Sequence, residues 1–283
     1  MRGDTTAAGT LYLVATPVGN LQDITLRAIE VLKEVDLIAC EDTRHTQRLL
    51  TYFNIGTATV SYHEHNERER AEEILTRLKS GGRVAVVSDA GMPGICDPGY
   101  RVVALAVENG VPVVPVPGAS AVVLALAASG LPTDAFGFGG FLPAKSGQRR
   151  EVLEEIAESA RTEMFYEAPH RVVEALEDLV DVLGGARRVV VARELTKLHE
   201  EFLRGSAEEV LAELKKRGDV KGEITLLIGK AEAGAAAPKI SLRARMEQVM
   251  REETLDEKAA LKKVAKEFGL GKSEAYRQWQ RGK

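Results

Sequence analysis

Short runs of Val, Ile, Leu and Ala alternate with helical patterns along most of this chain, and no other feature limits its fold as strongly. In the first part of the chain these runs occupy residues 11–15, 36–40, 57–62, 83–88 and 111–116. Their length and composition are typical of buried strands. Between the first two runs, apolar residues repeat at helical spacing behind Asp23, a favourable helix N-cap. Strands that alternate with helices in this way predict a parallel sheet that is buried on both faces.

A second set of strands and helices follows the first. The predicted strands are residues 136–141, 163–167, 188–193, 200–204 and 223–229, and the predicted helices lie near 147–159, 170–183 and 206–217. The third and fourth of these strands are close neighbours along the chain, which predicts a hairpin and therefore a mixed sheet. We therefore expect two α/β domains, residues 1–118 with a parallel sheet and residues 119–230 with a mixed one.

The chain changes character after residue 230. Residues 231–239 (AEAGAAAPK) are small and close with a proline, which indicates a linker. Residues 240–283 then predict a small helical domain, with helices near 240–252, 256–267 and 273–281. From Pro238 onward there are 12 Lys and Arg against 7 Asp and Glu, a charge of +5, which leaves −9 for the rest of the chain. A basic tail on an acidic body favours a polyanionic partner.

Residues 264–273 (VAKEFGLGKS) give the tail a possible recognition motif. They fit either a helix-turn-helix or a plain helical hairpin. The positive charge of the tail favours contact with nucleic acid through its phosphates rather than through its bases.

The composition excludes several classes of protein. Apolar residues make up 45% and charged residues 28% of the 283, which is typical of a soluble globular protein rather than a disordered one. Two cysteines, Cys40 and Cys96, are too few for a disulfide scaffold. The uncharged stretch 109–133 contains four prolines, which disfavours a membrane-spanning helix. The first apolar run is too short for a signal peptide, so we expect a cytoplasmic protein with no membrane partner.

The segment after the fourth strand is the most informative candidate site. Ligands of open α/β sheets bind beyond the carboxyl ends of the strands. Residues 88–99 (SDAGMPGICDPG) begin there with a carboxylate, Asp89, and continue as a glycine- and proline-containing loop whose backbone is open to a ligand. Asp97 and Pro98 fit the N-cap and the first residue of the next helix. We therefore predict ligand contact for Asp89 and a capping role for Asp97.

Three other strand ends in the first domain carry weaker signals. Residues 16–20 (TPVGN) do not contain the Gly-x-Gly-x-x-Gly pattern. In the EDTRH segment after the second strand, Asp42 or Thr43 fits a helix cap. In the VPGASA segment after the fifth strand, Ser120 fits either a cap or a ligand contact at a helix N-terminus.

Two further polar segments follow strands. Residues 62–67 (YHEHNE) place His63 and His65 two residues apart, and Asn66 fits a helix cap. No further ligands are spaced to complete a metal site with these histidines, so we expect no metal. In the second domain, residues 165–171 (FYEAPHR) bring a carboxylate, an imidazole and a guanidinium to the end of one strand.

Taken in order, these segments resemble the RsmI-type family. The matching motifs are ATPVGNLQDIT, EDTRHT, YHEHNE, SDAGMPGICDPG, PVPGASA and FYEAPHR, and the resemblance covers roughly residues 11–230. Members of this family are bacterial enzymes that 2′-O-methylate a cytidine of 16S ribosomal RNA. They belong to the tetrapyrrole-methylase-like (class III) S-adenosylmethionine enzymes, which are typically homodimers. Many members also carry a small C-terminal helical extension, which residues 240–283 match.

The resemblance implies a cofactor and a set of residues that contact it. The cofactor is S-adenosyl-L-methionine, folded into a cleft between the two α/β domains. The implied contacts are Asp89, Ala90, Gly91 and Pro93 in the main cofactor loop, Ser120 and Ala121 after the fifth strand, and Phe165, Tyr166 and Ala168 in the second domain. Residues 17–20 stand where tetrapyrrole enzymes have a glycine-rich first loop, and their single glycine, Gly19, disfavours direct cofactor contact there.

Methyl transfer to a ribose hydroxyl is an in-line displacement that benefits from a base to accept the hydroxyl proton. The sequence offers four candidates for this base and does not select among them: Glu167, His63, His65 and Asp42. The candidate contacts to the RNA substrate are Arg44, Asn66, Lys145 and Arg171. The expected partner is the small ribosomal subunit, with no DNA.

Other functions compete with this interpretation. The same fold serves methyltransferases of tetrapyrroles or other small molecules, although the histidine-rich segment 62–67 and the basic tail favour RNA. A DNA-binding regulator is supported by the tail alone. A nucleotide hydrolase is disfavoured because the sequence contains no P-loop.

Overall fold

The computed structural model describes residues 9–231, 242–252, 255–267, 275, 276 and 279. The chain forms two compact units. The first comprises the described residues up to Ala128 together with Ala192–Glu201, and the second comprises Ser129–Val191 with the described residues from Phe202 onward. The domain limits predicted from the sequence, at residues 118 and 230, stay predictions.

The first unit contains a parallel sheet of five strands, as predicted. Its strands are β1 (Thr10–Val14), β2 (Leu37–Cys40), β3 (Thr59–Ser61), β4 (Arg83–Val87) and β5 (Val113–Val116). They lie in the order β3-β2-β4-β1-β5, and every neighbouring pair is parallel. The carboxyl ends of these strands therefore meet at one edge, which we call the carboxyl edge of the first sheet.

Helices cover both faces of this sheet. They are α1 (Leu26–Glu34), α2 (Thr43–Tyr52), α3 (Glu67–Lys79), α4 (Tyr100–Glu108) and α5 (Ala121–Ser129), with a short 3-10 helix at Leu21–Asp23. Val84 and Val86 of β4 pack in a cluster with α3 and α4. Their neighbours Ala85 and Val87 pack in a second cluster with α1 and α2. Burial on both faces explains why the strands are apolar at successive positions instead of alternating.

Two helix starts predicted from the sequence are wrong. The N-cap of α1 is Thr25, whose Oγ1 accepts a hydrogen bond from the N–H of Ala28 at 3.1 Å, and not Asp23. Helix α4 begins at Tyr100 behind Gly99, so Asp97 does not cap it. The reason is that Cys96 (φ 63°) and Gly99 (φ 153°) have positive φ angles, which turn the chain away from a helix over these residues.

The second unit contains the predicted mixed sheet. Its strands are β6 (Phe136–Phe141), β7 (Thr162–Glu167), β8 (Arg188–Arg193), β9 (Glu201–Ser206) and β10 (Ile224–Ile228), in the order β6-β7-β10-β8-β9. Strand β7 is parallel to β6 and antiparallel to β10. Its helices are α6 (Ser146–Glu155), α7 (Val172–Leu183) and α8 (Ala207–Arg217). Strands β8 and β9 are neighbours in the sheet, as the predicted hairpin requires.

A buried ion pair joins α6 to α7. The guanidinium of Arg149 lies 2.7 Å from Oδ2 of Asp178, and the Arg149 side chain is only 2% exposed. The same guanidinium donates hydrogen bonds to the carbonyl oxygens of Pro143 and Ala144. The Oγ of Ser146 donates to the other carboxylate oxygen of Asp178. This network fixes the loop between β6 and α6.

The tail contains α9 (Leu242–Glu252) and α10 (Glu257–Glu267). Met246 and Val249 of α9 pack with Ala260 and Val264 of α10, and Trp279 joins the same cluster. The predicted linker beyond residue 231 and the turn of the predicted helix-turn-helix, residues 268–274, lie outside the described residues. Among the described helices, none has both the length and the apolar character needed to cross a membrane.

Candidate functional site

The loop after β4 is tied to the end of β1 at the carboxyl edge of the first sheet. Thr16 and Gly91 exchange two backbone hydrogen bonds, at 2.9 and 3.1 Å. The hydroxyls of Thr16 and Ser88 donate to the carbonyl oxygens of Ser88 and Gly91 respectively. All three residues are buried. The predicted cofactor loop is therefore held rigidly from beneath by its own backbone and two hydroxyls.

Within this loop the predicted contact residues differ in accessibility. Gly91 and Pro93 are buried, Ala90 is exposed and Asp89 is half-buried. Oδ1 of Asp89 accepts a hydrogen bond from the backbone N–H of Asp42 at 3.3 Å, which links the ends of β4 and β2. Among the described residues, no hydrogen bond engages the other oxygen, Oδ2. Asp89 thus keeps one acceptor for a ligand.

The start of α5 lies against the same loop. Gly91 has a positive φ of 83°, and a Cβ there would lie 3.6 Å from the carbonyl oxygen of Ala119. Ser120 stands immediately before α5, where its carbonyl accepts from the N–H of Leu124, and both Ser120 and Ala121 are half-buried. The structure therefore brings the predicted contacts of the β4 loop and of the α5 start together.

The single glycine of the first loop has a structural role. A Cβ on Gly19 would lie 2.3 Å from Cγ of Lys197 and 2.9 Å from the carbonyl oxygen of Leu195. Gly19 is therefore needed because the segment between β8 and β9 packs directly against it. The expectation that this loop makes no direct cofactor contact stays a prediction.

Acidic side chains are crowded at the carboxyl edge. The two whose pKa values are raised most clearly, Asp97 and Glu41, are not predicted as site residues from the sequence. Burial, helped by the nearby Glu41 and Asp89 carboxylates, raises the pKa of Asp97 to about 6, although the adjacent Ser88 hydroxyl acts in the opposite direction. Burial also raises the pKa of Glu41, with Asp89 and Glu64 adding to the effect. The signal available in the sequence was that carboxylates follow three strands that are neighbours in the sheet.

Asp42 and Arg44 pair with each other beside this edge. Oδ1 of Asp42 caps α2 by accepting from the N–H of Arg44 at 2.8 Å, which selects Asp42 over Thr43 as the cap. The guanidinium of Arg44 lies 2.9 Å from Oδ2. These hydrogen bonds lower the pKa of Asp42 to about 2. Arg44 itself is exposed, as a contact to RNA requires.

The segment after β3 is shaped by Asn66. Its Oδ1 accepts from the backbone N–H of His63 at 2.9 Å, and its Nδ2 donates to the carbonyl oxygen of Ser61. It precedes α3 but makes no side-chain cap. The imidazoles of His63 and His65 lie edge to face, 5.8 Å apart. Nδ1 of His63 is buried and has no hydrogen-bond partner among the described residues.

In the second unit, Glu167 ends β7 and is fully buried. Its Oε1 accepts from the backbone N–H of Ala168 at 2.7 Å and pairs with the guanidinium of Arg171 at 2.6 Å. Phe165 points into the core, so only its backbone is available to a cofactor. Tyr166 is half-buried, and its ring packs 4.9 Å from that of Phe138. Lys145 is exposed at the start of α6.

Comparison with known proteins identifies close relatives. A profile of the tetrapyrrole (corrin/porphyrin) methylases matches residues 10–211. Ribosomal RNA small subunit methyltransferase I of Halalkalibacterium halodurans is 52% identical over 220 residues, which are 78% of this chain and 75% of that protein. The protein of the same name from Micromonospora olivasterospora is 45% identical over 277 residues, 98% of this chain and 88% of that protein.

Solved structures share the fold at much lower identity. Diphthine synthase has a TM-score of 0.63 at 19% identity and covers 80% of this chain and 92% of its own. Uroporphyrin-III C-methyltransferase from Thermus thermophilus, solved with S-adenyl homocysteine, has a TM-score of 0.54 at 21% identity, over 78% of this chain and 97% of its own. Because the profile spans most of the chain and full-length relatives are 45% identical, the chain belongs to the tetrapyrrole (corrin/porphyrin) methylase family, with the proteins named ribosomal RNA small subunit methyltransferase I.

Proposed function

We propose that this protein is an S-adenosylmethionine-dependent methyltransferase of small-subunit ribosomal RNA, and that its acceptor is the 2′-hydroxyl of a cytidine. The methylation of small-subunit ribosomal RNA is supported by relatives named ribosomal RNA small subunit methyltransferase I. They are 45–52% identical to this chain over most of both chains. The choice of a cytidine 2′-hydroxyl rests on the resemblance of the six strand-end motifs to the RsmI-type family. The proposed cofactor residues are those predicted above.

The carboxyl edge of the first sheet fits part of such a cofactor. Gly91 is buried and bonded to Thr16, so it supports the loop from beneath, while the neighbouring Ala90 is exposed and offers the loop surface to a ligand. We propose that Oδ2 of Asp89 accepts from a hydroxyl of the cofactor's ribose, as a carboxylate does in dinucleotide-binding folds. When bound, S-adenosylmethionine supplies an electrophilic methyl carbon on a positively charged sulfur. Asp89 and the backbone of residues 90–93 would hold it.

Removal of the hydroxyl proton falls to one of the four proposed bases. With a pKa near 2, Asp42 stays anionic at neutral pH and is too weak a base to compete. Glu167 has one oxygen committed to Arg171 and the backbone of Ala168. Imidazole is the commonest general base in enzymes. We therefore propose His63 or His65 for this role, and a structural or electrostatic role for the two carboxylates.

The proposed RNA contacts divide into two kinds. Arg44 and Lys145 are exposed and suit phosphate contact. Asn66 and Arg171 are engaged inside the protein, with the His63 loop and with Glu167 respectively. We propose that these two shape the site and that the first two meet the RNA. We also propose that the protein acts in the cytoplasm as a homodimer, which light scattering on the purified chain tests.

A tetrapyrrole or other small molecule is the second candidate substrate. The specific observation in its favour is the fold shared with uroporphyrin-III C-methyltransferase, at 21% identity. An enzyme of that kind would bind a porphyrinoid, and titration with uroporphyrin III followed by absorbance detects such binding. The RNA proposal predicts none.

The direct test measures transfer of labelled methyl from S-adenosylmethionine to small ribosomal subunits from a strain that lacks the modification. Nuclease digestion and mass spectrometry then identify the product nucleoside. We expect 2′-O-methylcytidine. A different methylated nucleoside would keep the RNA methyltransferase and reject the cytidine 2′-hydroxyl. Cofactor binding without any transfer to RNA would favour the small-molecule candidate.

A further inference from the structure

A pocket separate from the proposed cofactor loop lies beside the first loop of the chain. It has a volume of about 750 Å³, and its eight lining residues are 19–22, Tyr52 and 196–198. No residue of the β4 loop is among them. Its walls are unusually exposed for apolar side chains, since Leu198 is 92% and Tyr52 59% exposed. The site is a groove broadly open to solvent, with the volume of a small organic ligand or one nucleotide.

The wall formed by residues 196–198 has a costly backbone conformation. Glu194 (φ 53°) and Thr196 (φ 62°) both adopt the left-handed region, which non-glycine residues rarely do. A carboxylate oxygen of Glu200 accepts from the N–H of Thr196 at 2.7 Å and stabilises this conformation. Oγ1 of Thr196 is buried and has no hydrogen-bond partner among the described residues. Such strain concentrates at sites that bind ligands.

Helix α2 leads from the carboxyl edge of the sheet to this pocket. Arg44, Arg48 and Tyr52 are each four residues apart, so they lie in one row along the helix, about 6 Å from one to the next. The helix contains no acidic residue. Arg48 is exposed and has no ion-pair partner in the part of the chain that the structure describes. Because Arg44 pairs with Asp42 at the start of the helix, Arg48 is the cation of this row without an ion pair among the described residues, and it lies one turn before the ring of Tyr52.

We infer that this pocket binds one unpaired nucleotide of the RNA substrate, with its base stacked on Tyr52 and its phosphate beside Arg48. Single-stranded RNA is recognised by stacking on aromatic rings, by hydrogen bonds to base edges and by cations along its backbone. Tyr52 and the amides of Asn20 and Gln22 line the pocket, and Arg48 lies outside this lining, one helical turn before Tyr52 on α2. This inference rests on the proposed function and adds to it a nucleotide site outside the cofactor loop.

The test compares three substitutions of Tyr52, one of Arg48 and a control on the full-length protein. Stacking on one base contributes about 1–3 kcal/mol, which corresponds to about fivefold to more than a hundredfold in affinity. We expect Tyr52→Ala and Tyr52→Leu to raise the KM for unmodified small subunits about tenfold, and Tyr52→Phe to leave it near the wild-type value. Arg48→Ala should raise the KM about threefold to tenfold. Lys79→Ala, an exposed cation at the end of α3, should leave it unchanged.

For all five variants, the cofactor affinity by calorimetry and the kcat should stay within about twofold of wild type. The Tm should stay within about one degree. A Tyr52→Leu variant with wild-type KM would overturn the proposal, because an apolar contact without a ring would then suffice. Loss of a dimer in Tyr52→Ala would assign the pocket to a second copy of the chain and overturn it too. If the wild type transfers no methyl to the subunits, the proposed function fails and the nucleotide site fails with it. An active wild type with unchanged Tyr52→Ala and Arg48→Ala rejects the nucleotide site alone.

Discussion

Several polar residues at the carboxyl edge of the first sheet make hydrogen bonds that hold this edge together. Asp42 caps α2, Asn66 closes the turn after β3, and the Thr16 hydroxyl binds the β4 loop. Capping, turn closure and ligand binding use the same residue types, so a sequence places these residues at the edge without separating the roles. Gly19 illustrates the same point, since the close approach of Lys197 that requires it comes from a distant part of the chain.

Asp97 gives the clearest prediction at the residue scale. Its carboxyl pKa is raised from 3.8 to about 6, so the folded protein binds more protons than the unfolded chain between about pH 4 and 6. Stability therefore falls as the pH rises through this window. We expect Asp97→Asn to stabilise the protein at pH 7.5 by about 1 kcal/mol after allowance for solvent screening, or about 2–4 °C in Tm.

The measurement is thermal unfolding of both proteins at pH 4 and pH 7.5. The gain from Asp97→Asn should be present at pH 7.5 and largely absent at pH 4, where the wild-type carboxyl is already protonated. An equal gain at both pH values would mean that the asparagine stabilises through packing and not through removal of a buried charge.

Asp89 is predicted to contribute directly to cofactor affinity. Asp89→Ala removes both the free Oδ2 and the Oδ1 that accepts from the N–H of Asp42. A hydrogen bond to a charged group contributes about 1.5–3 kcal/mol, so we expect S-adenosylmethionine to bind at least about tenfold more weakly. Asp89→Asn keeps the acceptor for Asp42 and separates the two effects. Calorimetry measures both variants, and unchanged affinity in Asp89→Ala would remove this residue from the site.

At the scale of elements, the strands and the central parts of the helices follow from the sequence, whereas several helix starts do not. All ten strands among the described residues overlap the predicted ones. The signal is plainest for β2, β4, β8 and β10, which are buried along most of their length and are therefore apolar, whereas β6 and β9 are largely unburied. Asp97 has the right type and position for a cap of α4, yet positive φ angles at Cys96 and Gly99 delay the helix to Tyr100. Those angles are set by the packing of the loop, which no local pattern records.

The Arg149–Asp178 pair between α6 and α7 supports a prediction about stability. Breaking a buried pair leaves an uncompensated charge, which costs about 3–5 kcal/mol. We expect Arg149→Met to cost about 3 kcal/mol, at the lower end because Arg150 also pairs with Asp178 at 3.1 Å. Urea unfolding measures this cost. The double variant Arg149→Met/Asp178→Leu should recover part of it, and a double variant less stable than the single one would contradict the assignment to an unpaired charge.

At the scale of the whole molecule, the alternation of strands and helices predicts two α/β sheets. The helical spacing and the positive charge of the last residues predict a separate helical tail. The sequence does not predict which unit a connecting segment joins. Ala192–Glu201 belong to the first unit although they connect two strands of the second sheet. The pocket beside Tyr52 is built from both parts of the first unit, since residues 196–198 form one wall and residues 19–22 another. A site assembled from segments so far apart in sequence leaves no local motif.

The tail contains its own apolar cluster, and this bears on what its removal would do. The cluster is built from Met246, Val249, Ala260, Leu261, Val264, Ala265, Ala275 and Trp279, with Met250 and Leu255 packed against it. All of these residues lie in the tail, so deleting it removes a cluster as a whole and does not open the core of either sheet. A truncated chain should therefore fold and bind cofactor.

We predict that deletion of residues 239–283 weakens binding to small ribosomal subunits and leaves S-adenosylmethionine affinity unchanged. The tail carries +5, and cationic contacts to phosphates supply much of the affinity for nucleic acid and make it depend on salt. Filter binding at low and high salt should show weaker binding and a smaller salt dependence after deletion. The matched control keeps the tail and replaces three exposed cations of α10, in Lys258→Gln/Lys262→Gln/Lys266→Gln. If this variant binds as weakly as the deletion, the tail acts through its charge. If only the deletion weakens binding, the tail acts through its shape. Wild-type affinity in both variants would leave the tail without a role in RNA binding.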